Sequence, residues 1–256
     1  MIQVQDVHKT FTLTRKEMKD AKTTDKVRHV VNGVSFSCQP GRVFSLLGPN
    51  GAGKTTILRM IAGILHPTSG KITVAGMDTQ TQSNEARRRM GFLTGSTGLY
   101  DRLTAIEVLK YFADLFGVAP ADFKRRCDEL IPLLRMDDFV NKRCGQMSTG
   151  MKQKVNIART IIHDPTVVVF DEPTSGLDVI TAESIIQLVR DQRAKGKTVI
   201  FSSHNMSEVD LLADDLAMIH KGKLLLSQTM DEFRAGMKAP GLTQEFIRII
   251  HEATPA

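Results

Sequence analysis

Over roughly the first 75 residues, apolar and polar positions alternate with the two-residue period of β-strands. Ile2, Val4 and Val7 are interspersed with Asp6, His8 and Lys9, a strand pattern rather than that of a signal peptide. Val34, Phe36 and Cys38 stand at period two and run into the turn Gln39-Pro40-Gly41. Val43 to Leu47 reads as a short buried strand. A glycine-rich turn follows it, and then Ile57, Met60, Ile61 and Ile64 at helical spacing. Pro67-Thr68-Ser69-Gly70 marks another turn, and Ile72 with Val74 another short strand.

The middle of the chain changes to a helical period. Thr104-Ala105-Ile106-Glu107 has the form of a capping box, which predicts a helix with Ile106, Leu109, Phe112 and Phe116 facing inward and Gly117 at its end. A second helix is predicted from about Asp122 to Arg135. From Thr166 strand and helix alternate again: a strand to Phe170, a helix over Thr181 to Lys195, and a strand over Thr198 to Ser202. Such alternation implies an α/β fold, a parallel sheet flanked by helices. The expected organisation is a single domain over 1–230, with a core of 1–94 and 164–230 interrupted by a helical subdomain over about 95–163. A tail over 231–256 carries one amphipathic helix (Leu242, Phe246, Ile249, Ile250), which suits core packing better than a membrane surface.

Composition narrows the classes. A chain of 256 residues, 41% hydrophobic and 24% charged, can bury a substantial core. Its longest apolar runs, such as Val167 to Phe170, fall far short of the ~20 residues that span a bilayer. Cys38, Cys127 and Cys144 match no zinc spacing or disulfide framework, so free thiols in a reducing compartment are expected. The net charge of +6 raises nucleic-acid binding as a question. Much of it sits between Thr12 and Arg28, where Arg15, Lys16, Lys19, Lys22, Lys26 and Arg28 outnumber Glu17, Asp20 and Asp25. That stretch reads as a solvated loop, with acidic lipid headgroups or a partner's loop as the functional alternative.

Two segments carry chemistry. Gly48-Pro49-Asn50-Gly51-Ala52-Gly53-Lys54-Thr55 fits G-x-x-x-x-G-K-[ST], between a buried strand and a helix as the motif requires. Its glycines let successive backbone N–H groups point at phosphate oxygens, and the following helix, which continues with Thr56, offers its positive end to the same anion. Lys54 is placed to reach the β- and γ-phosphates and Thr55 to offer a hydroxyl to Mg²⁺. The second segment is the apolar strand Val167 to Phe170 running into Asp171-Glu172. Asp171 emerges at the carboxyl edge, where open α/β sheets bind ligands, and can position Mg²⁺, while Glu172 can polarise an attacking water.

The discriminating segment is Met147-Ser148-Thr149-Gly150-Met151-Lys152-Gln153, which resembles the Leu-Ser-Gly-Gly-Gln signature of ABC ATPases in variant form. Ser175-Gly176-Leu177-Asp178 is similar to that family's D-loop, His204 to its switch histidine, and Phe11 to the aromatic residue that stacks on adenine. The likeness covers about residues 1–227, in the family's order. The wording of Gly91 to Tyr100 and of Ser148 to Lys154 is most similar to NatA-type subunits of bacterial sodium-efflux ABC exporters.

The resemblance implies a P-loop NTPase (RecA-like) core with an antiparallel β subdomain and an inserted α-helical subdomain. It implies an ATPase with ATP and Mg²⁺ as cofactors, powering export of sodium or another small cargo through a separate integral-membrane permease. It further implies a homodimer that sandwiches nucleotide head to tail, in which Ser148, Gly150 and Asp178 face the nucleotide of the second copy. The subunit would then sit in the cytoplasm, peripheral on the inner face of the cell membrane. Physically, Ser148 can cap the helix running toward His163 and leave a positive terminus for the γ-phosphate.

Three positions depart from the family pattern: Thr149 replaces a signature glycine, Met151 its glutamine, and Gly95 the glutamine after the fourth strand, for which Ser96 or Thr97 could substitute through a hydroxyl. A P-loop kinase would leave the Ser148 segment and His204 unexplained. A nucleic-acid-associated ABC ATPase typically carries two cassettes or long coiled-coil arms, neither of which is in this sequence, so no nucleic-acid partner is expected.

Overall fold

The computed structural model describes residues 1–20, 22–94 and 98–253. The chain begins with strand β1 (Ile2–Thr12), a short helix α1 (Arg15–Asp20), and strands β2 (Val27–Cys38) and β3 (Val43–Leu47). Helix α2 (Lys54–Ile61), strands β4 (Ser69–Val74) and β5 (Met77–Asp78), helix α3 (Ser83–Arg88) and strand β6 (Met90–Leu93) follow. Three helices come next: α4 (Ala105–Leu115), α5 (Pro120–Leu133) and α6 (Thr149–Ile161). Strand β7 (Val167–Asp171), helix α7 (Val179–Ala194), strand β8 (Thr198–Ser203) and helix α8 (Met206–Leu212) lead into strands β9 (Asp215–His220) and β10 (Lys223–Thr229). Helices α9 (Met230–Gly236) and α10 (Leu242–Glu252) complete the order.

Two sheets organise these elements. One has the order β2-β1-β4-β5, antiparallel throughout. The other runs β10-β9-β3-β8-β7-β6, parallel except for the β9–β10 pair. Every residue of β3, β7 and β8 is buried. Covered on both faces, these strands read as nearly continuous apolar runs, as parallel strands do. The register places Asp171 beside Ser202 and Leu47 beside Ser203, so the ends of β3, β7 and β8 open on one edge of the sheet.

Several expectations shift in detail. The stretch from Thr12 to Arg28 is not wholly loop. It holds α1, started by Thr14, whose hydroxyl accepts from the Glu17 N–H (3.3 Å) while the Glu17 carboxylate accepts from the Thr14 N–H (2.8 Å). No residue of α1 is buried, so the stretch remains a solvated feature. The capping box at Thr104 forms as read, but the buried face of α4 is Ala105, Val108, Leu109 and Ala113. Its small alanines permit close approach to α6, which leaves Ile106 and Phe112 half-buried at the rim. Helix α5 starts earlier than read, because Pro120 suits a first helical turn. The tail contains a second helix, α9, capped by Thr229 and Glu232. Leu242, Phe246, Ile249 and Ile250 of α10 pack against the main core, and the buried Glu245 carboxylate is held by Arg248 (2.6 Å) and by the N–H groups of Lys238 and Ala239. Cys38, Cys127 and Cys144 are buried free thiols. The positions Gly95, Ser96 and Thr97, which bear on the missing family glutamine, lie outside the described residues.

Candidate nucleotide site

The turn between β3 and α2 wraps its backbone tightly. A side-chain carbon on Gly48 would stand 2.2 Å from the Ile219 carbonyl oxygen, so only glycine lets the loop pass β9 at that distance. Lys54 opens α2 with its side chain 6% exposed, and its ammonium donates to the carbonyls of Gly48 (2.7 Å) and Pro49 (3.3 Å). The positive charge is thereby held inside the loop. Burial pushes the Lys54 ammonium below its usual range, opposed by the carboxylates of Glu172 and Asp171.

A cleft of about 430 Å³ lies over this loop. Asn50, Gly51, Ala52, Gly53, Lys54, Thr55 and Thr56 line it, together with Phe11, Arg28, Glu17 and Glu172. Phe11 is 39% exposed, with the Lys9 ammonium 5.0 Å from its ring centroid, and it pairs with Arg28 across β1 and β2. An exposed aromatic ring on a cleft wall is an available stacking surface. From the sequence, Arg28 and Glu17 read only as part of a solvated charged stretch. They reach the cleft through strand register and through α1, which no local motif announces.

Thr55 and Asp171, the two residues expected to hold Mg²⁺, stand side by side. Thr55 Oγ1 donates to Asp171 Oδ1 at 3.2 Å, which joins the first turn of α2 to the end of β7. Two hard oxygens side by side, next to a phosphate loop, suit Mg²⁺, which keeps several waters and takes its other ligands from phosphates. Among the described residues no group of three or more His, Cys, Asp or Glu forms an all-protein metal cage. The sequence reading missed Ser202. Its hydroxyl donates to Asp171 Oδ1 (2.8 Å) and accepts from the Glu172 N–H (3.0 Å). It therefore orients the Asp171 carboxylate and the next residue at once.

Glu172 leaves β7 with φ of 49°, a left-handed conformation that is uncommon outside glycine. Its N–H bonds to the carbonyl and hydroxyl oxygens of Ser202 hold it there. The turn points the carboxylate across the sheet edge. Oε1 stands 3.9 Å from Lys54 Nζ, and Oε2 stands 3.3 Å from Nδ1 of His204. His204 follows β8 directly and is 58% exposed.

Of the signature and D-loop segments, Thr149, Gln153, Ser175 and Leu177 line a second cleft together with Thr55, Asp171 and Glu172. Ser148 caps α6, its hydroxyl accepting from the Met151 N–H (3.2 Å). Asp178 caps α7, accepting from the N–H and hydroxyl of Thr181 (2.9 and 2.8 Å). A side-chain carbon on Gly150 would stand 3.8 Å from the Asp178 carboxylate, so these two motifs are neighbours within one chain. Ser148, Gly150 and Asp178 do not line the cleft over the phosphate loop. Gln153 of α6 donates to the Pro173 carbonyl (2.9 Å) and so links the signature helix to the segment after Glu172.

The family model described as "ABC transporter" matches residues 31–175, and one described as an AAA domain, putative AbiEii toxin of a type IV toxin–antitoxin system, matches 143–210. The chain is 42% identical over 239 residues to the ABC transporter ATP-binding protein NatA of Bacillus subtilis, covering 93% of this chain and 96% of that one. It superposes on the solved ATP-binding subunit of an ABC transporter with a TM-score of 0.84 at 25% identity, over 97% and 99% of the two chains. A bacterial ABC transporter cassette solved as a dimer gives a TM-score of 0.77 at 25% identity, over 90% and 99%.

Proposed function

The chain belongs to the ATP-binding subunits of ABC transporters, an ATPase that drives transport, and from that premise we propose how its residues divide the work. The carrying observation is the convergence on Glu172, whose carboxylate lies 3.9 Å from Lys54 and 3.3 Å from His204, beside the Thr55–Asp171 pair. Lys54 and the backbone of Gly48 to Thr55 hold the β- and γ-phosphates. Phe11 offers its ring to the adenine. Thr55 and Asp171 hold Mg²⁺, which would neutralise phosphate charge there. Glu172 orients a water and accepts its proton, and His204, within reach of Glu172, contacts the γ-phosphate.

Two copies close head to tail, so that Ser148 and Gly150 at the positive start of α6 complete the phosphate site of the other copy and Asp178 lies between the two sites. Their absence from the cleft of their own chain supports this reading, as does the dimer formed by the similar cassette. The membrane partner docks beside β6 and α4. There Ile64, Phe92, Phe112 and Phe116 line an apolar groove of about 310 Å³, with Arg159 stacked 4.8 Å from the Phe112 ring. Such a groove suits an amphipathic helix. Among the described residues no helix is long and apolar enough to cross a membrane, which leaves translocation to that partner. The subunit would work peripherally, on the cytosolic face of the membrane. Cargo selectivity would reside in the partner; export of sodium or another small cargo is the reading carried by the resemblance of Gly91 to Tyr100 and of Ser148 to Lys154 to sodium-efflux subunits.

The test is Mg²⁺–ATP hydrolysis by the purified chain and its Glu172→Gln variant, with dimerisation followed by light scattering. Turnover is expected to vanish in the variant while ATP binding persists and ATP traps a dimer. Unchanged turnover would remove Glu172 from its role, and ATP binding without a dimer would reject the head-to-tail sandwich.

A further inference from the structure

Glu208 sits in the first turn of α8 with a side chain that is 9% exposed. Its carboxylate accepts three hydrogen bonds: Oε1 from the Thr174 hydroxyl (2.7 Å) and the Asn205 side-chain amide (3.2 Å), and Oε2 from the Ser203 hydroxyl (2.9 Å). Among the described residues no basic side chain pairs with it. A buried carboxylate held only by neutral donors carries a desolvation cost that its own helix does not require.

The plain reading is a capping residue, since Glu208 lies three positions after the N-cap Asn205. The geometry does not follow that reading. In a capping box the glutamate accepts from the backbone N–H of the N-cap, but here that N–H donates to the Ser203 hydroxyl (3.0 Å). Glu208 is thereby free to bond outward. Its donors belong to two separate segments at the sheet edge, one after β7 and one at the end of β8. Thr174 lies in the segment after β7, just beyond Glu172 and Pro173, while Ser203 and Asn205 flank His204 on either side.

We propose that Glu208 is a positioning residue that ties the loop carrying Glu172 to the loop carrying His204, and so maintains the 3.3 Å approach between them. The proposal rests on the assignment of those two residues to hydrolysis. Glu172 occupies a left-handed conformation and His204 is largely exposed, so neither is held by packing alone. The main-chain bonds to Ser202 fix where Glu172 begins. The bond from Thr174 to Glu208 fixes where its loop goes next, relative to the residues bracketing His204.

The experiment measures kcat and KM for ATP in the full chain and in Glu208→Ala, Glu208→Gln and Thr174→Val, together with Glu172→Gln, His204→Ala and the double variant Glu208→Ala/His204→Ala. Glu208→Ala is expected to lower kcat by about tenfold to a hundredfold, the size of effect that follows a small misplacement of reacting groups, with KM little changed. Gln keeps the shape, its oxygen still accepting from Thr174 and Asn205 while its amide donates to the Ser203 hydroxyl, so Glu208→Gln is expected to recover most of the loss. Thr174→Val is expected to fall between the two. In the His204→Ala background the further loss from Glu208→Ala is expected to be much smaller, because the tie then has one catalytic end.

Hydrogen exchange gives a readout independent of turnover: in Glu208→Ala and Thr174→Val, the segments around Thr174 and around Ser203 to Asn205 are expected to exchange faster together, with the phosphate loop unchanged. Wild-type kcat in Glu208→Ala, full additivity with His204→Ala, or unaltered exchange in both segments would overturn the proposal. Retained turnover in Glu172→Gln or His204→Ala would overturn the parent assignment, and this proposal with it.

Discussion

Glu172 and His204 each follow the last residue of a different buried strand, and their side chains meet at 3.3 Å between Oε2 and Nδ1. The meeting depends on β7 and β8 being parallel neighbours with Asp171 opposite Ser202. Replacing His204 by alanine removes one side of that contact but touches nothing in the phosphate loop. Turnover is expected to fall by about a hundredfold or more, with ATP affinity nearly unchanged. Parallel measurements of kcat and of nucleotide binding by calorimetry check this, and an equal fall in both would indicate a binding role instead.

Ser202 bridges Asp171 and Glu172 through one hydroxyl. Ser202→Ala leaves a buried carboxylate with one partner fewer and loosens the left-handed turn at Glu172. The concentration of Mg²⁺ needed for half-maximal hydrolysis is expected to rise about tenfold, as is usual when a residue that orients a metal ligand is lost. A titration of activity with Mg²⁺ at saturating ATP provides the comparison.

Gly48 and Gly51 both have positive φ but differ in how closely other backbone approaches them. An alanine at position 48 would meet the Ile219 carbonyl at 2.2 Å, whereas an alanine at position 51 meets nothing within 4 Å and suffers only from its φ of 78°. Gly51→Ala is expected to cost about 1 kcal/mol of stability. Gly48→Ala is expected to cost about 3 kcal/mol and to displace the loop from β9, with loss of ATP binding. Denaturant unfolding of both variants tests the ranking, and equal losses would contradict it.

His163 lies against the apolar groove, stacked on Phe116 at 3.7 Å and 9°, with Nε2 3.2 Å from the Met90 carbonyl. Burial pushes its pKa from 6.5 down to about 4. A histidine held neutral in the folded state contributes fully above the unfolded value, and that contribution is lost as pH falls from about 6.5 to about 4. The chain is therefore expected to lose on the order of 3 kcal/mol across that window from this residue. Melting temperature against pH, compared with His163→Gln, should show a shallower slope in the variant. Identical slopes would assign the acid sensitivity elsewhere.

What could be read from the chain alone was whatever its chemistry keeps contiguous. Gly48 to Thr55 would bind phosphate through its own backbone on the proposed reading, and Val167 to Glu172 places its acids at the end of one buried strand, so both were legible as strings. The capping boxes at Thr104 and Thr229 are equally local, although only the first was read. Periodicity showed that α4 is amphipathic but misplaced its buried face, since apolar residues surround most of it and the fit of Ala105 and Ala113 against α6 decides. Ser202, Glu208, Arg28 and Glu17 have roles set by strand register and by which loops share an edge. Such pairings join residues far apart in sequence, and their energy comes from packing the sheet as a whole. Tertiary structure alone therefore decided that Glu172 faces His204, and that the caps Ser148 and Asp178 do not line the cleft over Gly48 to Thr56 of their own chain.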